Sequence, residues 1–331
     1  MRIFSGIQPT GRKHLGNYIG AITQWVADQQ RGEAIYCVVD LHAITVSYDP
    51  AALRESVYDT AATLLAAGID PERSILFRQS DVQENPELCW LISSVTAYGE
   101  LTRMTQFKDK AAQHRELVSA GLFNYPVLMA ADVLAYRANE VPVGDDQRQH
   151  IELMRDIAQR FNARFGETLV VPEGRFPEVG ARIMDLQFPE RKMSTTGDSE
   201  QGTVYVLDDP DSVTKKIRSA VTDSGTEVRR GPAKAGISNL IDILAAVRGT
   251  APEEVEREFD GSGYGAFKQT VADAVVEYLA PVRERYGELR ADESELERIL
   301  AHCADNARAI AADTLEDVRR VMGVGPVRDR R

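Results

Sequence analysis

The chain has 331 residues, of which 43% are hydrophobic and 27% charged, and its formal net charge is −12. It is long enough to bury a sizeable core and to form more than one domain. The acidic balance argues against a protein that coats nucleic acid with its whole surface, so contact with phosphate would need a local basic patch.

The first half alternates strand-like and helix-like patterns. Ile3–Ile7 is a short apolar run that ends in Gln8 and Pro9, and Tyr18–Gln29 then has helical spacing. Ala34–Val39 is a continuous apolar run, as expected for a strand covered on both faces. Asp49-Pro50 is a helix start, with an N-cap followed by Pro at the first helical position, and Gly68 suits the residue after the helix end. Ser74–Phe77 reads as the next strand, and Asn85-Pro86 as the opening of another helix. Val141-Pro142-Val143-Gly144 leads into a helix over Arg148–Phe165, and Leu169–Val171 reads as a strand that stops at Pro172. Strands alternating with helices predict an α/β domain with a parallel sheet, which binds ligands at the carboxyl ends of its strands.

After about residue 205 the pattern is almost entirely helical. Pro210–Val221, Ile237–Val247, Pro252–Phe259, Ala266–Arg285 and Ser294–Met322 are the expected helices. Cys37, Cys89 and Cys303 are odd in number and include no Cys-x-x-Cys pair, so they read as reduced thiols in a cytoplasmic protein rather than metal ligands. No apolar run approaches the roughly 20 residues that span a bilayer. The start, Met1–Ser5, lacks the charged head and apolar stretch of a signal peptide, so a cytoplasmic, membrane-free protein is expected.

Two short motifs carry chemistry. Gly6–Lys13 approaches a phosphate-binding P-loop, but Arg12 follows the second glycine and no hydroxyl residue follows Lys13, so that reading fails. His14-Leu15-Gly16-Asn17 follows the first strand and precedes a helix, where a small glycine lets a nucleotide approach the backbone and polar side chains reach phosphate oxygens. Arg191–Gly197 has the Lys, hydroxyl and Gly content of a phosphate-binding loop. Taken singly, each is equally well a plain turn.

In this order the two motifs resemble those of the class I aminoacyl-tRNA synthetases. His14-Leu15-Gly16-Asn17 is similar to their HIGH motif, and Lys192-Met193-Ser194-Thr195-Thr196 to their KMSKS loop. Longer stretches resemble the bacterial-type tryptophanyl branch: Phe4–Gly11, Val39–Thr45, Gly99–Lys108, Tyr125–Asp132, Val141–Gln147 and Ser219–Ser224. The resemblance covers nearly the whole chain. It implies a Rossmann-like doubly wound parallel sheet over residues 1–190, with dimer-interface helices at about 85–140. Residues 191–331 would hold the mobile loop and an all-helical anticodon-binding region. It also implies a homodimer that joins L-tryptophan to its tRNA with ATP and Mg²⁺.

By the same resemblance, Gln8, Pro9, Thr10, Gly16, Asn17, Gly144, Asp145, Ile183, Lys192, Met193, Ser194, Thr195 and Thr196 would line the ATP site, with Asp146 on the ribose. Tyr125 and Gln147 would hold the amino group of tryptophan, and Asp132 the indole N–H. Phe4, Gly6, His42, Met129, Val141 and Val143 would shape the ring pocket. His14, Asn17, Lys110, Lys192 and Ser194 would stabilise charge on the phosphates. Indole has one donor and no acceptor, so a carboxylate suits it.

Two positions depart from the family pattern. Thr195 stands where a second lysine is usual, which removes one charge and shifts the load to Lys192 and Lys110. His14 stands where many tryptophanyl enzymes have threonine, and this restores the general class I residue. Three rivals stay open: a tyrosyl enzyme, a non-catalytic paralogue, and an adenylyltransferase that acts without tRNA. Lys215, Lys216, Arg218, Arg229 and Arg230 supply local positive charge in the helical half.

Overall fold

The structure is a computed structural model and describes residues 1–106, 118–176, 182–194 and 200–325. Five strands form one sheet: β1 (Arg2–Ile7), β2 (Glu33–Val38), β3 (Ile75–Arg78), β4 (Glu140–Pro142) and β5 (Glu173–Arg175). Their order is β3-β2-β1-β4-β5, and every pairing is parallel. From β1 the chain steps outward to β2 and β3, then crosses back to β4 on the other side. The order therefore reverses beside β1, and the carboxyl ends of β1 and β4 flank the crevice where such sheets bind ligands. All of β2 after Glu33 is buried, which accounts for its unbroken apolar run.

The helices in the first half are α1 (Leu15–Asn17), α2 (Thr23–Asp28), α3 (Asp40–Ala43), α4 (Pro50–Ala66), α5 (Glu84–Ser93), α6 (Tyr98–Leu101), α7 (Ala120–Leu134) and α8 (Arg148–Phe165). Asp49 caps α4 by accepting the Ala52 N–H at 2.7 Å, and Gly68 beyond its end has φ +111°, a conformation L side chains rarely adopt. α8 turns Ile151, Met154, Ile157, Ala158 and Phe161 inward at helical spacing, and it ends at Gly166 with φ +96°.

The structure corrects several sequence expectations. Tyr18–Gln29 is not one regular helix, because a π-helical turn, Tyr18–Ile22, joins α1 to α2. This wider turn buries Tyr18 and Ile22, with Tyr18 set edge-on to Tyr278. The helix expected to open at Asn85-Pro86 does so, α5 beginning at Glu84 with Pro86 in its first turn, and the Asn85 side chain points into the core. Leu169–Val171 is not a strand. The Asn162 side chain takes both backbone groups of Leu169, which are therefore not offered to the sheet. The strand forms after Pro172 instead, pairing with β4. Helix α7 runs through Pro126, in a stretch the periodicity left unassigned.

The second half is helical: α9 (Pro210–Arg218), α10 (Ala235–Arg248), α11 (Pro252–Glu258), α12 (Tyr264–Ala291) and α13 (Glu293–Met322). Helix α9 stops short of the expected Val221, whose N–H is drawn to the carbonyl of Leu186 at 2.8 Å. Helix α12 packs on α4 and α9, while α13 returns to lie against β3 and α5. Each face of the sheet therefore has an apolar core that contains residues from both halves of the chain.

Candidate active site

The turn after β1 is held from two sides. His14 caps α1: its Nδ1 accepts the Asn17 N–H at 3.2 Å, and the Asn17 Oδ1 accepts the His14 N–H at 3.3 Å. Backbone bonds from Leu15 to Val204 and from Val206 to Lys13 fasten the turn to the later chain. Burial lowers the His14 pKa to about 4, helped by the nearby charges of Lys192 and Lys13. The ring is therefore neutral at pH 7. Because Nδ1 accepts, Nε2 carries the proton and can donate to a phosphate oxygen. Gln8, Thr10 and Gly6 are exposed here, while Pro9 is buried.

Ile183–Ser194 folds back on itself beside this turn. Met193 donates its N–H to the carbonyl of Ile183 at 3.1 Å, and Met184 bridges Lys192. A Cβ at Gly16 would stand 3.5 Å from Ile183 Cβ and 3.1 Å from the His14 ring, so only a residue without a side chain lets the three meet without crowding. The side chains of Ile183 and Met193 are buried. Lys192 is exposed, and its charge acts on His14, which brings the two motifs into one site. The carbonyl of Ser194 accepts from Thr203 Oγ1 at 3.1 Å. Lys110, Thr195 and Thr196 lie outside the described residues.

The second cluster surrounds Asp132, which is 2% exposed. Its Oδ1 accepts from Gln79 Nε2 at 2.7 Å and from Asn85 Nδ2 at 3.1 Å. Its Oδ2 meets His42 Nε2 at 2.8 Å. The two amides are themselves oriented: Gln79 Oε1 accepts the Leu41 N–H, and Asn85 Oδ1 accepts from the hydroxyl of Tyr136. Tyr136 stacks on Phe4 with ring centres 5.5 Å apart. Tyr125, Met129 and Asp132 lie on α7 at intervals of four and three residues, and so share one face. The hydroxyl of Tyr125 meets His150 Nε2 at 3.0 Å, and burial pushes its pKa up to about 12.

Beyond β4, Val141 is buried, Val143 is half-buried and Gly144 is exposed. A Cβ at Gly144 would fall 2.6 Å from Asp146 Oδ1. The Asp146 carboxylate accepts from Gln147 at 2.6 Å and from Gln106 at 3.3 Å. Asp145 instead faces solvent and pairs with Arg148 at 2.8 Å.

The sequence reading missed Gln79, Asn85, Gln106, Tyr136 and His150. The signal available for Gln79 was its place directly after a strand, at the end of the sheet where ligands bind. Of the candidate basic residues, Lys216 is buried against Asp208 at 2.7 Å, and Arg230 is paired with Glu253, Glu256 and Asp242. The former has no surface charge to offer a phosphate.

The His14 turn lies at the switch point of a parallel sheet, where such folds bind nucleotides, and the buried Asp132 carboxylate forms a second polar cluster. That is the class of Rossmann-type, nucleotide-binding folds. The family model for tRNA synthetases class I (W and Y) matches residues 1–280. Tryptophan--tRNA ligase 2 of Streptomyces avermitilis is 51% identical, over 99% of this chain and 98% of its own length. The Tryptophan--tRNA ligase of Wolinella succinogenes is 48% identical, over 98% of each. A solved tryptophanyl-tRNA synthetase from Campylobacter jejuni, complexed with ADP and tryptophan, superposes with a TM-score of 0.87 at 36% identity, over 98% of this chain and 100% of its own. The chain belongs to the class I synthetase family for tryptophan and tyrosine, in its bacterial tryptophanyl branch.

Proposed function

We infer that this chain is an aminoacyl-tRNA ligase that activates L-tryptophan with ATP, releases pyrophosphate, and transfers tryptophan from the adenylate to the 3′ end of its tRNA. The observation that carries the choice of amino acid is the Asp132 pocket. A carboxylate has about four acceptor positions, and Gln79, Asn85 and His42 engage three of them. One indole N–H would take the fourth. A phenol, which both donates and accepts, would need a further donor besides that position. The tryptophan and ADP bound by the Campylobacter jejuni relative support the same reading.

The first step needs no general base, because the substrate carboxylate is already ionised and attacks the α-phosphorus in line. His14 and Asn17 would donate to phosphate oxygens, while Lys192, Ser194 and Lys110 would neutralise charge on the departing pyrophosphate. Mg²⁺ would enter on the phosphates, since it keeps several waters and is usually held through substrate oxygens. Asp146, presented by Gln106 and Gln147, would take the ribose. Gln8, Pro9, Thr10, Gly144 and the backbone of Ile183 and Met193 would line the nucleotide, with Asp145 at its rim.

Residues 191–331 would recognise the anticodon, and the chain would work in the cytoplasm. Among the described residues no helix is long and apolar enough to cross a membrane. A homodimer is supported by Trp90 and Tyr98, large aromatics left 78% and 73% exposed in the expected interface segment.

Tryptophan-dependent ATP–pyrophosphate exchange tests the proposal, with tyrosine as control and Thr195→Lys beside the wild type. Exchange with tryptophan alone is expected, and a faster Thr195→Lys variant would measure what the missing lysine costs. Absence of exchange in a protein that binds tryptophan would leave a non-catalytic paralogue.

A further inference from the structure

We propose that Lys13 is a positioning residue for the nucleotide: its ammonium clamps the loop Gln8–Thr10 that faces ATP. The proposal rests on the reading of this turn as the ATP site. Lys13 Nζ donates to the carbonyl of Gln8 at 2.9 Å and to that of Thr10 at 3.2 Å. One cation thus closes a ring around Gln8, Pro9 and Thr10.

Pro9 is buried, and the Lys13 ammonium bonds the carbonyls of the residues on either side of it. Gln8, Thr10, Gly11 and Arg12 are exposed, and Gly11 has φ +65°. The residues that follow the loop, Gly11, Arg12 and Lys13, line a cavity of about 180 Å³ together with Thr60 and Tyr205 among others. Where the flanking residues of a loop are exposed, its shape depends on its hydrogen bonds. Neighbouring charges are engaged elsewhere. Arg12 binds Asp208 and lies over the Tyr205 ring, and Asp59 on the cavity wall binds Tyr286 and Arg290. His14, next in the chain, is occupied in capping α1.

Burial draws the Lys13 pKa down to about 8, and among the described residues no carboxylate bonds to it to offset the loss of water. The two carbonyls are the partners that make this burial tolerable. Side chains without a cation at this position would release both, and the Gln8 side chain and loop backbone would lose their fixed direction toward the nucleotide.

The test compares wild type, Lys13→Met and Lys13→Arg. MgATP binding is measured by titration calorimetry and tryptophan binding by fluorescence. Exchange kinetics are measured with each substrate varied. Lys13→Met is expected to weaken ATP binding and raise the ATP KM about tenfold or more, the scale of one lost charge-assisted hydrogen bond. Tryptophan binding should stay within about twofold, and Lys13→Arg should recover most of the ATP affinity because it restores a charged donor. Unchanged ATP binding in Lys13→Met would overturn the proposal. Equal losses for ATP and tryptophan, with no recovery in Lys13→Arg, would overturn it too, since they mark a structural role. If wild type binds ATP without exchange, the ligase reading fails while the calorimetric comparison still decides the role of Lys13.

Discussion

Gln79 donates from Nε2 to Asp132 at 2.7 Å while its Oε1 accepts the Leu41 N–H at 3.0 Å. One fully buried amide therefore ties the end of β3 to the start of α3 and to α7, and both of its bonds fix which way it faces. Replacement by methionine, similar in length, would strand the Leu41 N–H and free Asp132 to turn. Gln79→Met is expected to cost about 1–3 kcal/mol of stability and to raise the tryptophan KM with little change in that for ATP. Thermal melts and exchange kinetics check the two effects separately.

Asp132→Asn keeps the size of the side chain and removes its charge. Gln79, Asn85 and His42 surround the carboxylate with donors, so the new amide NH₂ would have to face one of them. The expected loss in kcat/KM for tryptophan is about 10–100-fold, the range for a hydrogen bond to a charged group. Discrimination against phenylalanine should shrink with it, because rejection depends on leaving the carboxylate unpaired. Competition between the two amino acids in the exchange reaction measures this.

His14 links pH to stability. Its pKa falls from 6.5 to about 4 on folding, so between those values the unfolded chain holds the proton and the folded chain does not. Stability from this group is thus complete above about pH 6.5 and is lost as pH falls toward 4. A shift of this size amounts to about 3 kcal/mol. His14→Asn, which keeps an N-cap acceptor, should flatten the denaturation profile between pH 6.5 and 4. An unchanged slope in urea titrations would show that His14 does not titrate across folding.

Lys216 separates a structural charge from an RNA-binding one. It is buried, donating to Asp208 at 2.7 Å and to the Thr203 carbonyl at 2.8 Å. Lys216→Met leaves Asp208 buried with Arg12 as its remaining cationic partner among the described residues, and is expected to cost about 3–5 kcal/mol. At a temperature where the variant remains folded, tRNA affinity should be close to wild type. The exposed Lys215 and Arg218 of the same helix are the better candidates for phosphate, and filter binding of each alanine variant would rank them.

Much of this protein was legible in the residues alone. The parallel sheet followed from apolar runs alternating with helical spacing. The limits of α4 and α8 followed from Asp49, Pro50 and the helical period, because caps and amphipathic faces are local properties. The two phosphate-binding motifs were short and became convincing only as an ordered pair within a longer resemblance. What the residues could not show is what distant segments do to one another. Asn162 captured the backbone of Leu169, where a strand was expected to begin, and Asn85 turned inward to Asp132 because α7 passes there. Lys216 is not a surface cation because Asp208 folds against it. The donors around Asp132 come from the end of β3, from α3 and from α5, and they meet the carboxylate on α7 only once the sheet order reverses beside β1. Local pattern thus determined the elements and the two motifs. Only packing decided which buried polar groups found partners, since a buried donor or acceptor must be satisfied by whatever the fold brings within reach.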